Sequence, residues 1–256
     1  AGREVADGYL RVNELALKRY KDLGWLIDCD MKEVDSYVFD RMDAEKLKRE
    51  AVAVMQLGFP AEYVEQVDLP IDTVGAIRFP GQAQFHPLKF VAAIAKNLNI
   101  YEHSPVREMT EYFALTDHGS VAAEKVIVAT HFPFINRRGS YFVKLYQERS
   151  YVLSLKNTKI PDSIYLEAKK GGLSMRGYGD TLLLGGITHR TGKEPDGFEK
   201  LREQAKLYFP EAEITGQWAA QDCMTLDGMP YIGNYSSSTP DLFVAAGFGK
   251  WGMTGA

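Results

Sequence analysis

The chain has 256 residues, of which 45% are hydrophobic and 12% aromatic, so it holds enough apolar material to bury a sizeable core. Its 30 lysines and arginines against 34 aspartates and glutamates leave a formal charge of −4, with neither sign gathered into a long block. This composition excludes a disordered chain and argues against nucleic acid as a partner.

The first part of the chain alternates helices and strands. Apolar spacing predicts a helix over residues 9–27, and a strand at Ser36–Phe39 precedes an amphipathic helix from Ala44 to Leu57. Val74–Gly81 is predicted as a strand that ends in a Pro-Gly turn, and Pro87 opens the next helix at a favourable first position. This alternation is typical of an α/β fold.

Later segments indicate a second kind of sheet. Val126–Ala129 is a continuous apolar run, as expected of a parallel strand that is buried on both faces. From Tyr141 to Gly185 short strands follow one another with no room for crossover helices, which predicts an antiparallel sheet. A helix over Phe198–Phe209 and the apolar strand DLFVAAG follow. The order predicts two interleaved domains, one α/β and one α+β that is built on the antiparallel sheet.

The last ten residues, GFGKWGMTGA, form a glycine-spaced turn directly after that strand. Gly247, Gly249 and Gly252 match the G-x-G-x-x-G spacing, in which backbone N–H groups approach a phosphate or a ring. The alternative is a glycine-rich turn that only closes a buried strand. Because the chain stops where a helix is expected, we expect it to be an internal piece of a longer protein.

The two cysteines, Cys29 and Cys223, lie far apart and outside any metal-binding spacing. The sequence therefore predicts no metal site and no disulfide framework, and it indicates a reducing, cytoplasmic setting. No apolar run approaches the ~20 residues that cross a bilayer, and the first residues lack the pattern of a signal peptide. We therefore expect no membrane attachment.

Four segments together resemble the D-amino-acid oxidase family of FAD-dependent oxidoreductases: FPGQAQFHPLKF, KVIVATHFP, QDCMTLDGMPYIGN and VAAGFGKWGMTGA. The last two are most similar to a bacterial subgroup whose members carry a Rieske iron–sulfur domain after the flavin enzyme. The resemblance implies an incomplete FAD-binding domain that is interleaved with a substrate domain. The FAD-binding part would be residues 1–27, 84–136 and 223–256, and the substrate part residues 28–83 and 137–222.

The chain departs from the family at its beginning. Family members start with a strand, a glycine-rich turn and a helix that hold the FAD pyrophosphate, and nothing before Asp28 supplies them. We therefore expect this piece to bind FAD weakly or not at all. A 2Fe–2S cluster needs paired cysteine and histidine ligands, so it would lie outside this chain.

The resemblance implies cofactor-binding roles in four places. A valine after a proline would present its backbone to the adenine, and residues after the apolar run would line the dinucleotide. The Asp-Gly turn would lie beside the flavin ring, and the glycine-spaced segment would close over the pyrimidine end; an ordinary core strand or β-turn needs the same residues. The residues implied are Val106, Ala129, Thr130, His131, Asp227, Gly228, Gly247, Phe248, Gly249, Trp251 and Gly252.

Three residues are candidates for substrate binding. Arg176 is near the place where the family's amino-acid oxidases keep an arginine for the substrate carboxylate, although an exposed strand arginine is the alternative. His189 either faces the flavin or caps a turn in solvent. Asp222 stands where the family has a second arginine, and this charge reversal favours an amine over an α-amino acid as substrate.

The resemblance implies oxidation of the C–N bond of a small-molecule amine or amino acid, with hydride transfer to FAD. This scheme requires no side-chain base, so no catalytic residue is assigned. The alternatives are a stable domain without activity and an NAD(P)-dependent oxidoreductase, which would need an acidic residue beyond the end of the chain. We also expect the apolar face that truncation exposes to favour dimers.

Overall fold

The computed structural model describes residues 2–135, 138–193 and 195–255. The helices are α1 (Arg3–Gly24), α2 (Ala44–Gln56), α3 (Pro87–Ala95), α4 (Gly197–Tyr208) and the short α5 (Gly252–Gly255). The strands are β1 (Lys32–Asp40), β2 (Glu62–Val64), β3 (Gly75–Gln84), β4 (Val106–Met109), β5 (Phe113–Thr116), β6 (Gly119–Ala122), β7 (Val126–Val128), β8 (Leu145–Lys156), β9 (Ile164–Glu167), β10 (Ser174–Tyr178), β11 (Thr181–Arg190), β12 (Glu213–Thr225), β13 (Tyr231–Asn234) and β14 (Leu242–Ala246). A 3₁₀ turn covers Tyr141–Val143.

The chain divides into two compact units, each built from two stretches of sequence. The larger unit comprises Ala1–Ala93 and Arg149–Ala220, and the smaller unit comprises Ile94–Glu148 and Gln221–Ala256. Within the described residues, no helix combines the length and the apolarity that crossing a bilayer requires.

An eight-stranded sheet dominates the larger unit, in the order β12-β8-β11-β10-β9-β1-β3-β2. β10 is antiparallel to both β9 and β11, which confirms the antiparallel sheet expected from the short strands. β1 is antiparallel to β3 but parallel to β9. Among the strand pairs described here, the sheet is therefore antiparallel except at β1 and β9. These two strands come from the two different stretches of sequence that form the larger unit.

One face of this sheet forms the main core with α4. The burial of β8 alternates, and its buried residues Leu153 and Leu155 pack in one cluster with Met175 of β10 and Leu184 of β11. α4 contributes Leu201 to the same cluster. Side chains alternate across a strand, so the residues between these point to the opposite face.

The predicted turn at Pro80 and Gly81 is wrong, because β3 continues through both residues to Gln84. The register of β3 against β1 shifts there, from Val34 opposite Gln82 to Ser36 opposite Phe79. Gly81 has a φ of 66°, and its N–H donates to the Asp35 carboxylate at 3.3 Å. A bulge accommodates a proline without losing the strand, since that position needs no ladder N–H.

The smaller unit contains two three-stranded sheets, β13-β14-β7 and β4-β5-β6. β7 lies parallel to β14, as expected for the apolar run. The expectation that this strand is buried on both faces is wrong: Val128 is 1% exposed, whereas Ile127 is 66% exposed. Core residues such as Tyr141 and Tyr235 pack with Val128 on one face only.

The compact units differ from the predicted domain division at α1, at the start of α3 and at residues 138–148, which belong to the smaller unit although they were predicted in the substrate part. The Tyr20 ring of α1 lies 5.5 Å from the Phe85 ring and 5.2 Å from the Phe90 ring, centroid to centroid. Lys21 forms a 2.7 Å ion pair with Glu33. Residues 1–27 and 84–93 therefore pack in the larger unit, and the FAD-binding and substrate roles of the two parts stay predictions.

Truncating a core leucine of α4 tests this packing. Leu201 is 0% exposed, and Leu201→Ala should lower the free energy of unfolding by ~2–5 kcal/mol, because the neighbouring strands cannot close the cavity. Leu207 of the same helix is 64% exposed, and Leu207→Ala should change stability by no more than ~0.5 kcal/mol. Urea unfolding followed by circular dichroism measures both; equal losses would contradict the described packing of α4.

Candidate functional site

Two of the predicted cofactor segments meet at one edge of a sheet in the smaller unit. β7 and β14 are parallel neighbours, with Val126 opposite Leu242 and Val128 opposite Val244. Residues 129–131 follow β7 and residues 247–252 follow β14, so both segments leave the sheet at its carboxyl edge. Ligands of open α/β sheets bind beyond the carboxyl ends of the strands.

The predicted Asp-Gly turn reaches the same edge from the other side of β14. β13 is antiparallel to β14, and Tyr231 pairs with Ala246, the residue before Gly247. The Asp227 carboxylate accepts the Met229 N–H at 3.1 Å, and Gly228 has a φ of 76°. Residues 129–131, 227–231 and 247–252 are hereafter called the carboxyl edge.

Two glycines of the carboxyl edge have a positive φ, and one of them also allows a close approach. Gly247 has a φ of 77°, and a Cβ atom there would lie 2.3 Å from the Thr225 Cγ2 atom. Gly249 has a φ of 55°, and its N–H donates to the Cys223 carbonyl at 2.9 Å. The segment therefore runs close along the end of β12, and the position of Gly247 leaves no room for a side chain.

A lysine that sequence reasoning did not single out fixes this segment further. Lys250 forms an ion pair with the half-buried Asp222 of β12. The negative charge that the resemblance places at a family arginine thus has a positive partner within the same unit. The inference that Asp222 attracts a substrate amine therefore loses its main support. In the sequence, only the positive charge of Lys250 could have indicated this ion pair.

A buried hydroxyl lies in the same segment. The Thr254 Oγ1 atom is buried and has no hydrogen-bond partner among the described residues. An orphaned buried hydroxyl is costly unless a ligand or water satisfies it, so it fits the polar acceptors of the FAD that the resemblance implies. Trp251 is exposed, Phe248 is half-buried, and the last residue of the motif, Ala256, lies outside the described residues.

The other predicted cofactor residues are placed less closely together. Ala129, Thr130 and His131 are exposed after β7, and the Thr130 hydroxyl donates to the Phe132 carbonyl at 3.1 Å. Val106 pairs with Thr116 in the separate β4-β5-β6 sheet, so the structure does not bring it to the carboxyl edge through a shared sheet. All of these cofactor roles stay predictions.

Arg176 lies in the larger unit, on the sheet face away from α4. It is half-buried in β10 opposite Leu183 of β11, and burial lowers the pKa of its guanidinium. No carboxylate among the described residues forms an ion pair or hydrogen bond with it. A cavity of about 340 Å³ adjoins it, lined also by Val152, Ile164, Leu166, Ser174, Met175, Leu183, Gly185 and Trp218. A desolvated cation without a counter-ion is a binding group for an anion.

His189 faces the opposite side of this sheet. Its Nε2 atom lies 2.9 Å from the Tyr151 hydroxyl, and its Nδ1 atom lies 2.8 Å from the Arg190 carbonyl. Since a carbonyl can only accept, Nδ1 donates to it, and in the tautomer with its proton on Nδ1 the Nε2 atom accepts from the Tyr151 hydroxyl. Tyr151 belongs to the main core, whereas Val152 lines the Arg176 cavity. His189 is 8% exposed, so it is not a solvated cap, and the structure does not bring it to Arg176.

The described residues contain no group of three or more His, Cys, Asp or Glu side chains that could hold a metal ion. Cys29 and Cys223 are buried free thiols, and burial raises the pKa of each. Neither thiol is therefore poised as a nucleophile.

Substituting a carboxyl-edge glycine tests the close approach. Gly247→Ala should destabilise the protein by more than ~1 kcal/mol, because it combines a positive φ with the contact to Thr225. Gly8→Ala, in the middle of α1 with open space around it, should instead stabilise by ~0.5–1 kcal/mol. Thermal unfolding of both variants measures the difference, and a stabilising Gly247→Ala would contradict the geometry.

The sequence pattern of the family described as FAD dependent oxidoreductase, DAO, matches residues 2–256. A protein of Bacillus subtilis (strain 168) named as a Rieske 2Fe-2S iron–sulfur protein, YhfW, is 30% identical over an alignment of 248 residues, and the match covers 89% of this chain and 48% of that protein. The chain thus spans about half the length of the curated relative that it matches.

Two solved structures show the same fold. Glycine oxidase from Geobacillus kaustophilus has a TM-score of 0.81 at 20% identity, over 99% of this chain and 76% of that one. L-proline dehydrogenase from P. horikoshii has a TM-score of 0.78 at 17% identity, over 95% of this chain and 74% of that one. These likenesses confirm the predicted fold class, and the family match covers nearly every residue. The chain belongs to the DAO family of FAD-dependent oxidoreductases.

Proposed function

We propose that the protein containing this chain oxidises the C–N bond of an amino carboxylate with FAD as its cofactor. The observation that carries this proposal is Arg176, a half-buried guanidinium with no carboxylate partner among the described residues. Relatives of the same fold are named for oxidation of glycine and L-proline, and both compounds carry a carboxylate. The pairing of Asp222 with Lys250 removes the argument for a simple amine.

Binding and orientation are the contributions of this chain's own residues. Arg176 would hold the substrate carboxylate through paired N–H donors, which fixes the orientation of the neighbouring C–N bond. The carboxyl edge would hold FAD, with the Thr254 hydroxyl as a donor and the backbone of residues 247–252 in close approach. FAD, when bound, accepts the two electrons of the oxidation. No side-chain base is assigned.

The remaining length of the Bacillus relative bears on the electron acceptor. That protein is named for a Rieske 2Fe-2S cluster. We extend the proposal to a 2Fe–2S cluster elsewhere in the protein that contains this chain, placed after FAD in the path of the electrons. Analysis of the natural gene product for iron and labile sulfide tests this extension, and absence of both would refute it.

Anaerobic reduction of bound flavin tests the substrate class. In the natural gene product, amino acids should bleach the flavin absorbance, whereas the amines that lack only the carboxylate should not. Arg176→Gln should lower kcat/KM for the amino acid by roughly 30-fold or more, because an ion pair in a partly desolvated site is lost. Reduction by the amines alone would reject the carboxylate and restore the amine interpretation of Asp222.

Removing the Arg176 charge should not harm the fold. Arg176→Met deletes a desolvated charge that has no counter-ion among the described residues, so the free energy of unfolding should stay equal or rise. Arg78 of the same sheet is the matched control, because it forms ion pairs with Asp35 and Glu62. Arg78→Met loses both pairs and should bring no gain. Urea unfolding compares the two; a clear loss for Arg176→Met would indicate a structural role.

A further inference from the structure

The cavity beside Arg176 has a polar end and a long apolar wall. Arg176 and Ser174 supply its charged and hydroxyl groups, and the other side chains that line it are apolar. No acidic side chain lines it among the described residues. A ligand anchored at Arg176 by a carboxylate therefore meets an apolar surface with the rest of its atoms.

Strand order sets how far this surface extends. Trp218 lies on β12, Val152 on β8 and Leu183 on β11, and these strands precede β10 in the sheet. Three strand spacings separate β12 from the strand of Arg176, a distance of ~14 Å. The wall thus extends well beyond the reach of a two-carbon acid.

The floor of the cavity is kept open by a glycine. Gly185 lies opposite Ser174 in the β10–β11 register, and a Cβ atom at Gly185 would lie 2.6 Å from the Ser174 Oγ atom. Val152 Cγ2 would be 3.7 Å from the same Cβ. A side chain at Gly185 would fill the space between the polar end and the apolar wall. The volume of about 340 Å³ lies within the range of pockets that hold small-molecule ligands.

We propose that the substrate carries a large apolar side group, which lies along Leu183, Val152 and Trp218 while Arg176 binds its carboxylate. This inference rests on the proposed function and narrows its substrate class to amino carboxylates with an aromatic or branched apolar group. Trp218 is then a specificity-determining residue. Burial of the apolar side group against this wall releases water and makes binding more favourable than that of glycine, without a new polar contact.

Binding of two plain carboxylates to the chain as it stands tests the inference without FAD. Acetate carries only the anchor, whereas 3-phenylpropionate adds the apolar group. Titration followed by NMR of the tryptophan indole signals should show 3-phenylpropionate binding at least ~10-fold more tightly than acetate. The indole signal that Trp218→Ala removes identifies Trp218, and this signal should shift on binding.

Variants separate the two parts of the site. Trp218→Ala should reduce the affinity ratio by roughly threefold or more, because it removes most of the aromatic contact area. Leu183→Gln, with its fold checked by circular dichroism, should reduce the ratio in the same direction without removing a tryptophan. Trp25→Ala, an exposed tryptophan after α1, should leave the ratio unchanged.

The outcomes distinguish this inference from the proposed function. Equal affinity for acetate and 3-phenylpropionate, with both weakened by Arg176→Gln, would overturn the apolar side group and leave the carboxylate anchor standing. Absence of binding by both probes, or binding that Arg176→Gln does not weaken, would overturn the anchor itself. Tighter binding of 3-phenylpropionate that depends on both Arg176 and Trp218 supports both.

Discussion

The two-residue period of the strands decides which side chains of the larger unit can act together. In β8 the buried Leu153 and Leu155 face α4, whereas Val152 faces the cavity beside Arg176. The same alternation places Tyr151, with its partner His189, on the core side. One sheet thereby separates a packed core from a surface with a charged group, because a strand cannot present neighbouring residues to the same face.

Asp222 in the smaller unit and Arg176 in the larger unit differ in whether an oppositely charged side chain lies beside them. The resemblance places Asp222 where amino-acid oxidases carry an arginine, and Lys250 of the glycine-rich segment forms an ion pair with it. Arg176 is half-buried, and no residue in the described part of the chain forms an ion pair with it. Of these three residues, only Arg176 carries an uncompensated desolvation cost, and a bound anion would offset it.

Much of the architecture could be predicted from local pattern. Apolar spacing and turn residues depend only on neighbours in sequence. They predict the helices α2, α3 and α4, the parallel pairing of β7, and the antiparallel strands β9–β11. The turn predicted at Pro80 and Gly81 is wrong because pairing with β1 accommodates both residues in a β-bulge, and this pairing is not visible in the local sequence. The exposure of Ile127 and the packing of α1 in the larger unit likewise depend on what lies against them.

For the candidate site, the sequence by itself determined the residue types: the spaced glycines 247 and 249, and an arginine suited to a carboxylate. Only the tertiary structure decided which of them meet. It joined three distant segments at the carboxyl edge, paired Lys250 with Asp222, and turned His189 away from Arg176. The physical reason is that backbone conformation is a local property, whereas burial, ion pairing and shared sheet faces depend on contacts between residues far apart in sequence.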